Sequence, residues 1–238
     1  MRRRRKQMNR AEIIELSNRI AESAKEAYIA VTDETGGPTV STVSVVRTDG
    51  ICRTWFATNL SGNKARRLKA CPKAGVCFHS GDDNVTLAGE ARILTDPQIR
   101  KELWQDWFIN HFPGGPEDPE YCIIEFTTKR ASLWVKGQGE EFSMEDVLKV
   151  QSRCGLLCSA CSFREPCSCG GCIETNGNPF HGECPVAACC QDKGFTHCGE
   201  CPDMPCEKLY AYSCLDEENG DKPAGARLSM LRCWNNYA

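Results

Sequence analysis

The chain has 238 residues, of which 18 are Cys, and a formal net charge of −3 at neutral pH. This length allows one large domain or two ordinary ones, and an apolar fraction of 41% with a charged fraction of 26% excludes a largely disordered chain. The small net charge excludes a global basic field, so nucleic acid is not an expected partner. No run reaches the roughly 18 apolar residues that a membrane helix needs, so no membrane partner is expected.

The densest basic run lies in the first ten residues, and no continuous apolar segment follows it. A secretion signal is therefore not predicted, and we expect a cytoplasmic protein whose basic start is a solvated end. Of the 18 Cys, 13 lie between Cys154 and Cys214. In a reducing compartment, such a cluster indicates metal or redox chemistry before disulfides.

The first half of the chain predicts a helix followed by antiparallel strands. Ile13, Leu16 and Ile20 recur at helical spacing, and the pattern predicts a helix over residues 10–31 that Asn9 caps. β-branched runs between Gly- and Asp-containing turns predict the strands. An α+β domain or a small antiparallel barrel accounts for this order. The predicted strands are 39–46, 52–57, 74–79, 85–94, 121–126 and 131–135, and the further helices are 63–70 and 97–110.

The second half differs in composition. The polar, Gly-containing segment 137–150 is predicted as the linker between a first domain (10–136) and a Cys-rich domain (151–238). Short helices are predicted at 144–153 and 224–234.

An anion-binding pattern follows one predicted strand of the first domain. The strand ends in Thr58, and the turn holding Ser61 and Gly62 opens a helix that carries Lys64. Helix N-termini present free N–H groups to anions, and hydroxyls and a Lys add donors and charge for a phosphate. The residues alone favour an ordinary capped helix with a solvated basic face over a phosphate site.

Across residues 10–136, several motifs in order resemble the pyridoxamine 5′-phosphate oxidase-like, FMN-binding split-barrel superfamily. They are the stretch around Lys64, the strands 43–47 and 84–91, and the Pro/Gly-rich turn 112–121, which resembles the general-stress subgroup. The resemblance implies a split antiparallel β-barrel and a homodimer, because the flavin of this superfamily lies between two subunits.

The resemblance also implies the cofactor contacts. The superfamily commonly has a basic residue before the Lys, where this chain has Asn63, and Arg47, Arg66 or Arg67 can compensate. The implied FMN contacts are Val43, Ser44, Val45 and Val46 along the isoalloxazine ring, Thr58, Ser61 and Lys64 at the phosphate, and Asn84 near the flavin.

The resemblance implies an FMN-dependent redox protein, and we expect an oxidoreductase that acts on a small substrate. The C-terminal substrate-binding segment of true pyridoxamine 5′-phosphate oxidases has no counterpart here, so vitamin B6 oxidation is not expected. The sequence designates no catalytic acid or base. The alternative is a flavin- or haem-binding sensor or storage protein whose Cys-rich domain is a zinc-dependent interaction module.

The Cys-rich segment repeats C-x-x-C three times, at Cys158/Cys161, Cys169/Cys172 and Cys198/Cys201. Two intervening residues let both thiolates meet one ion from a tight turn. The segment has few large apolar side chains, so a bound metal would contribute folding free energy. We predict a small metal-stabilised domain, in which His181 and His197 are further candidate ligands.

This segment also resembles a family of Cys-rich bacterial domains of unknown function, which opens with Cys-Gly-x-x-Cys-x-x-Cys and ends with Cys-x-x-Cys-Pro-x-x-Pro-Cys. Thiolate ligation suits both zinc and Fe–S clusters, and the Cys spacing favours zinc because it is not that of bacterial ferredoxins, so an Fe–S cluster is the alternative. Two metal sites, or one site and a redox-active pair, are both open. The family pattern implies ten candidate ligands, namely Cys154, Cys158, Cys161, Cys169, Cys172, Cys184, Cys189, Cys198, Cys201 and Cys206.

Overall fold

The structure is a computed structural model and describes residues 8–237. The chain divides into two compact units, which are residues 17–144 and the remaining described residues, 8–16 and 145–237. Most of the basic run at the start of the sequence lies outside the described residues. None of the helices in the described part of the chain is both long and apolar enough to cross a bilayer.

The first unit contains a closed antiparallel barrel of six strands. They follow one another in the order β3-β2-β1-β4-β5-β6, and β3 also pairs with β6, so the sheet has no open edge at that point. A seventh strand, β7, pairs with residues 130–135 of β6, on the same edge where β3 pairs with residues 121–127. The predicted α+β split barrel is confirmed. The strands are β1 Glu26–Thr32, β2 Pro38–Asp49, β3 Arg53–Asn59, β4 Lys73–Ser80, β5 Asp83–Leu94, β6 Tyr121–Val135 and β7 Gln138–Ser143.

Three helices belong wholly or partly to this unit: α1 Arg10–Ser23, α2 Asn63–Ala70 and α3 Pro97–Glu102. Asn9 caps α1, because its Oδ1 accepts from the Glu12 N–H at 3.0 Å. Asp96 caps α3 in the same way, and a short 3₁₀ helix, Asp106–Asn110, follows α3. The helix predicted over 97–110 is therefore two shorter helices.

The predicted helix 10–31 is wrong in its last third. The α-helix ends at Ser23, and residues from Glu26 form β1. Ala27, Ile29 and Val31 alternate with more exposed residues, and Val31 is β-branched, which favours a strand. Ala24 and Ala27 continue the three- and four-residue spacing of the predicted helix. Over so few residues, however, a helical pattern cannot be distinguished from a strand pattern.

Two further differences lie around β6. The two strands predicted at 121–126 and 131–135 are one strand of 15 residues, which pairs with β3, β5 and β7. The segment 137–150, predicted as a linker, contains β7 and the helix α4 Met144–Leu148. Lys136 and Gly137 both have positive φ and form the two-residue turn from which β7 folds back on β6.

The second unit has little regular structure apart from short helices. Trp234 on the last helix is fully buried, and its indole N–H donates to the Val147 carbonyl at 2.7 Å. Leu231 and Met230 of the same helix are also buried. Besides α4, the helices are α5 Gly171–Glu174, α6 Pro185–Asp192, α7 Glu207–Tyr210 and α8 Ala226–Tyr237.

Candidate functional site

A basic cavity of about 350 Å³ lies in the barrel unit at the start of α2. Thr58 at the end of β3 and Lys64 in the first turn of α2 both line it, as the sequence analysis predicts. Gly62, the residue before α2, offers no side chain to cap the helix, so the cavity also faces first-turn backbone. Helix dipole, hydroxyl and ammonium group together favour an anion.

Arg67 also lines this cavity. The sequence analysis named it only as one of three basic residues, with Arg47 and Arg66, that can compensate for Asn63. Arg67 lies three residues after Lys64 on α2, and residues at that spacing share one face of a helix. Its Nη1 donates to the Thr39 hydroxyl at 2.9 Å and its Nη2 to a Glu34 carboxylate oxygen at 3.2 Å. The helical period is the signal that distinguishes Arg67 from the neighbouring basic residues.

The structure places Ser61 elsewhere. Its hydroxyl donates to a Glu120 carboxylate oxygen at 2.5 Å, and its backbone N–H donates to the same oxygen at 3.0 Å. These bonds hold the pKa of Glu120 below its usual range. Ser61 does not line the cavity that Thr58 and Lys64 share. Ser61 can make its predicted phosphate contact only if a phosphate oxygen replaces the Glu120 carboxylate as its hydrogen-bond acceptor.

A second cavity, of about 450 Å³, lies further along β2. Val45 and Val46, two of the predicted ring contacts, line it together with Trp104 and Gln105. The β2–β3 register shifts between Val45 and Arg47, and the Gln105 amide donates to the Val46 carbonyl at 3.3 Å. The two cavities therefore lie at different positions of one strand, since the first is lined by β2 residues 39–41.

The other predicted flavin contacts are spread over the barrel. Val43 is buried, and Ser44 is half-buried on β2. Asn84 lies on β5 opposite His79 and Trp134 of the neighbouring strands, and it lines neither of the two cavities. The structure thus brings together Thr58 with Lys64 and Val45 with Val46, and it leaves Asn84 on the outer face of the sheet.

The ten predicted thiol ligands of the second unit line two separate cavities. The larger cavity, of about 700 Å³, also has His181 and the stacked rings of Phe163 and Phe180 in its lining. The smaller cavity, of about 20 Å³, has room for about one water-sized particle. The first six thiols, Cys154, Cys158, Cys161, Cys169, Cys172 and Cys184, line the larger cavity, and Cys189, Cys198, Cys201 and Cys206 line the smaller one with Cys190.

The thiols influence each other's acidity. Burial raises the pKa of Cys158 to about 12, and the neighbouring thiols of Cys154 and Cys172 add to that increase. In the smaller group, a hydrogen bond from Cys198 lowers the pKa of Cys190 to about 7 and raises that of Cys198. Among residues 8–237, no three His, Cys, Asp or Glu side chains already stand in an arrangement that could hold a metal ion.

The chain belongs to the family described as "Pyridoxamine 5′-phosphate oxidase like", whose model matches residues 12–151. The family resemblance of the first domain is therefore confirmed. Residues 150–211 match a second family, described as "Protein of unknown function (DUF3795)". No curated protein matches the chain.

Similar solved structures each cover a little over half of this chain. A protein from Clostridium acetobutylicum, related to general stress protein 26 of B. subtilis and of the pyridoxine phosphate oxidase family, is 25% identical, with a TM-score of 0.53 over 57% of this chain and 97% of its own. General stress protein 26 from Bacillus anthracis is 17% identical, covers 56% and 97% and has a TM-score of 0.46. A pyridoxamine 5′-phosphate oxidase-related, FMN-binding protein from Nostoc punctiforme is 14% identical, covers 56% and 93% and has a TM-score of 0.42.

Proposed function

We propose that the barrel unit binds FMN and acts as an oxidoreductase on a small substrate. The observation that carries this proposal is the basic cavity at the start of α2, where Thr58, Lys64 and Arg67 converge. Family membership supports the same cofactor. In this proposal the phosphate occupies that cavity, and the ring lies along β2 toward the second cavity.

The residues present fit such a ligand. Arg67 lines the cavity, and its Nε is buried without a hydrogen-bond partner among the described residues. Thr58 adds a hydroxyl and Lys64 a charge for a phosphate. At the other end, backbone groups of Val45 and Val46 would orient the ring. The flavin, when bound, supplies the electron transfer.

The outer face of the sheet supports a homodimer as part of this proposal. Three large apolar side chains are exposed on strands of the barrel, namely Tyr28 on β1 (44%), Val40 on the neighbouring β2 (66%) and Trp134 on β6 (47%). Tyr28 stacks on His79 with ring centroids 5.9 Å apart, and Asn84 lies between His79 and Trp134 in the register. A second copy on this face would cover the apolar side chains and bring Asn84 toward a bound flavin.

We also propose that the second unit binds zinc through its thiols, with an Fe–S cluster as the alternative. The smaller cavity supports this proposal, because a space for about one atom is lined by five Cys side chains. Cys190 is the added member, since the family pattern leaves it out. Lys193, beside this group of thiols, donates to the Cys201 sulfur at 3.5 Å.

One set of measurements on the purified full chain tests these proposals. We expect flavin absorption bands, released FMN on denaturation, bound zinc by elemental analysis, and turnover of flavin with a reduced nicotinamide. A Soret band would replace the flavin proposal with haem, and a broad brown absorbance with bound iron would replace zinc with an Fe–S cluster. A colourless protein that does not bind added FMN would refute the flavin proposal.

A further inference from the structure

The four basic residues of α2 differ in what they face. Lys64 and Arg67 line the basic cavity, whereas Arg66 and Lys69 do not. The side chain of Arg66 is 63% exposed and that of Arg67 only 20%. Asn63 also lines the cavity, but it carries no charge. The positive charge at this wall therefore comes from Lys64 and Arg67.

The Arg67 side chain is held at both ends of its guanidinium group. Nη1 donates to Thr39 at the start of β2, and Nη2 donates to Glu34 in the turn before β2. That turn is itself ordered, because the Asp33 carboxylate accepts from the Thr35 N–H and the Gly37 N–H, each at 2.9 Å. The position of Arg67 is therefore set before a ligand arrives, which reduces the entropy that binding costs.

The bonds to Thr39 and Glu34 leave most of the donor capacity of Arg67 unused. A guanidinium group has five N–H donors, and the two bonds engage two of them. Nε is one of the remaining donors, and it is buried without a partner among the described residues. A planar fork of free N–H groups matches two oxygens of one phosphate.

On this geometry, and resting on the proposed FMN site, we infer that Arg67 gives the site its selectivity for phosphorylated flavin over riboflavin. Glu34 is its positioning residue. Riboflavin has the same ring and the same chain of hydroxyls but no phosphate, so the contact with Arg67 contributes to the binding of FMN alone. Arg66 also donates to Glu34, at 2.6 Å, but it faces solvent and does not share this role.

The test compares Arg67→Met with Arg66→Met in the full chain. Both variants remove one positive charge from the same helix and one partner from Glu34, so they differ in the contact with the cavity. Apoprotein is titrated with FMN and with riboflavin, and binding is followed by the quenching of flavin fluorescence. We expect Arg67→Met to weaken FMN binding at least tenfold and riboflavin binding less than threefold. Arg66→Met is expected to change both less than threefold.

Arg67→Lys keeps the charge but loses the planar fork, and we expect it to restore part of the FMN affinity. This variant and the wild type still test the inference if Arg67→Met does not fold. Equal FMN affinities of the Arg66 and Arg67 variants would overturn the inference and leave the flavin site intact. Equal losses of FMN and riboflavin would overturn it as well. A wild-type apoprotein that binds neither flavin would instead refute the proposed function.

Discussion

Single buried groups decide part of the stability of the barrel, and Tyr121 at the start of β6 is one of them. Its ring packs among Trp104, Phe108 and Phe112, and burial raises the pKa of its hydroxyl to about 12. The hydroxyl is buried and makes no hydrogen bond among the described residues. Burying a donor without an acceptor costs free energy of folding, so the Tyr121 hydroxyl is expected to lower the stability of the barrel.

Tyr121→Phe is therefore expected to be at least as stable as the wild type near pH 7.5. The pKa is about 12 in the folded chain and ordinarily 10, so the wild type loses stability as the pH rises through 10 toward 12. The variant lacks this loss, and its advantage in urea midpoint is expected to grow between pH 7.5 and pH 10.5. A clear loss of stability in Tyr121→Phe at pH 7.5 would show that the hydroxyl has a partner.

Gly89 on β5 is a second position where a single atom, the Cβ of any other residue, is expected to change the stability of the barrel. The β5–β6 register shifts between Ala88 and Gly89, and a Cβ on Gly89 would overlap the carbonyl oxygen of Thr127. Because that obstacle is backbone, we expect Gly89→Ala to lower the free energy of unfolding by about 2–3 kcal/mol in urea denaturation.

Gly75→Ala on β4 is the matched control for Gly89. Its Cβ would lie 3.6 Å from the Leu87 carbonyl oxygen, which is ordinary contact. We expect unchanged or slightly higher stability for this variant, because Ala loses less chain entropy than Gly. Similar losses in both variants would mean that the sheet disfavours any added methyl group, not that Gly89 meets a particular carbonyl.

At the scale of elements, the outer sheet face predicts an oligomeric state. Trp134 of β6 is 47% exposed beside β5, and a charge there would meet the apolar surface of a second copy. We expect sedimentation to show a dimer for the wild type and a monomer for Trp134→Glu. Trp107→Glu, at a side chain that is 45% exposed on a 3₁₀ helix, is the control and is expected to stay dimeric. A monomeric wild type would refute the dimer.

The elements also show what the sequence can predict. Alternating β-branched runs and turn residues predict most strands, because those signals are local. Residues 24–31 fit a helical pattern, and only the pairing of β1 with β2 and β4 shows a strand; the partners of these residues lie 8 to 49 positions away in the sequence. The polar break at Thr127–Arg130 suggests two strands. One strand continues, because Lys129 is the extra residue of a bulge opposite Gly89, and the pairing with β5 resumes beyond it.

The candidate site was predictable to the same extent. Thr58 and Lys64 follow from a local motif, and both line the cavity. The bond of Ser61 to Glu120 joins residues 59 apart, so no local pattern shows it. The partition of the thiols into two groups depends in the same way on how the chain folds back, and C-x-x-C spacing alone does not give it.

At the scale of the whole molecule, the two units predict separate responses to metal removal. If zinc holds the second unit, a strong chelator is expected to release the metal and unfold residues 154–214, because metal binding contributes folding free energy there. The barrel, whose core is apolar, is expected to remain folded. Limited proteolysis with mass spectrometry should then leave a protected fragment close to residues 17–144.

The control for the chelator is the same treatment followed by an excess of zinc, which should restore protection of the second unit. Loss of both units together would contradict the separation of the two units. Full protection after complete removal of the metal would contradict a structural role for it.

The closing of the barrel has a consequence for how fast the chain reaches its native state. Neighbours such as β4 and β5 are joined by a tight turn, but β3 and β6 pair Arg53 with Thr127 and Asn59 with Tyr121, which are 74 and 62 residues apart. The entropy cost of closing so long a loop must be met before the contacts between β3 and β6 can contribute favourable free energy. The hairpins can therefore form early, and we expect the β3–β6 ladder, which closes the barrel, to form late and to slow folding.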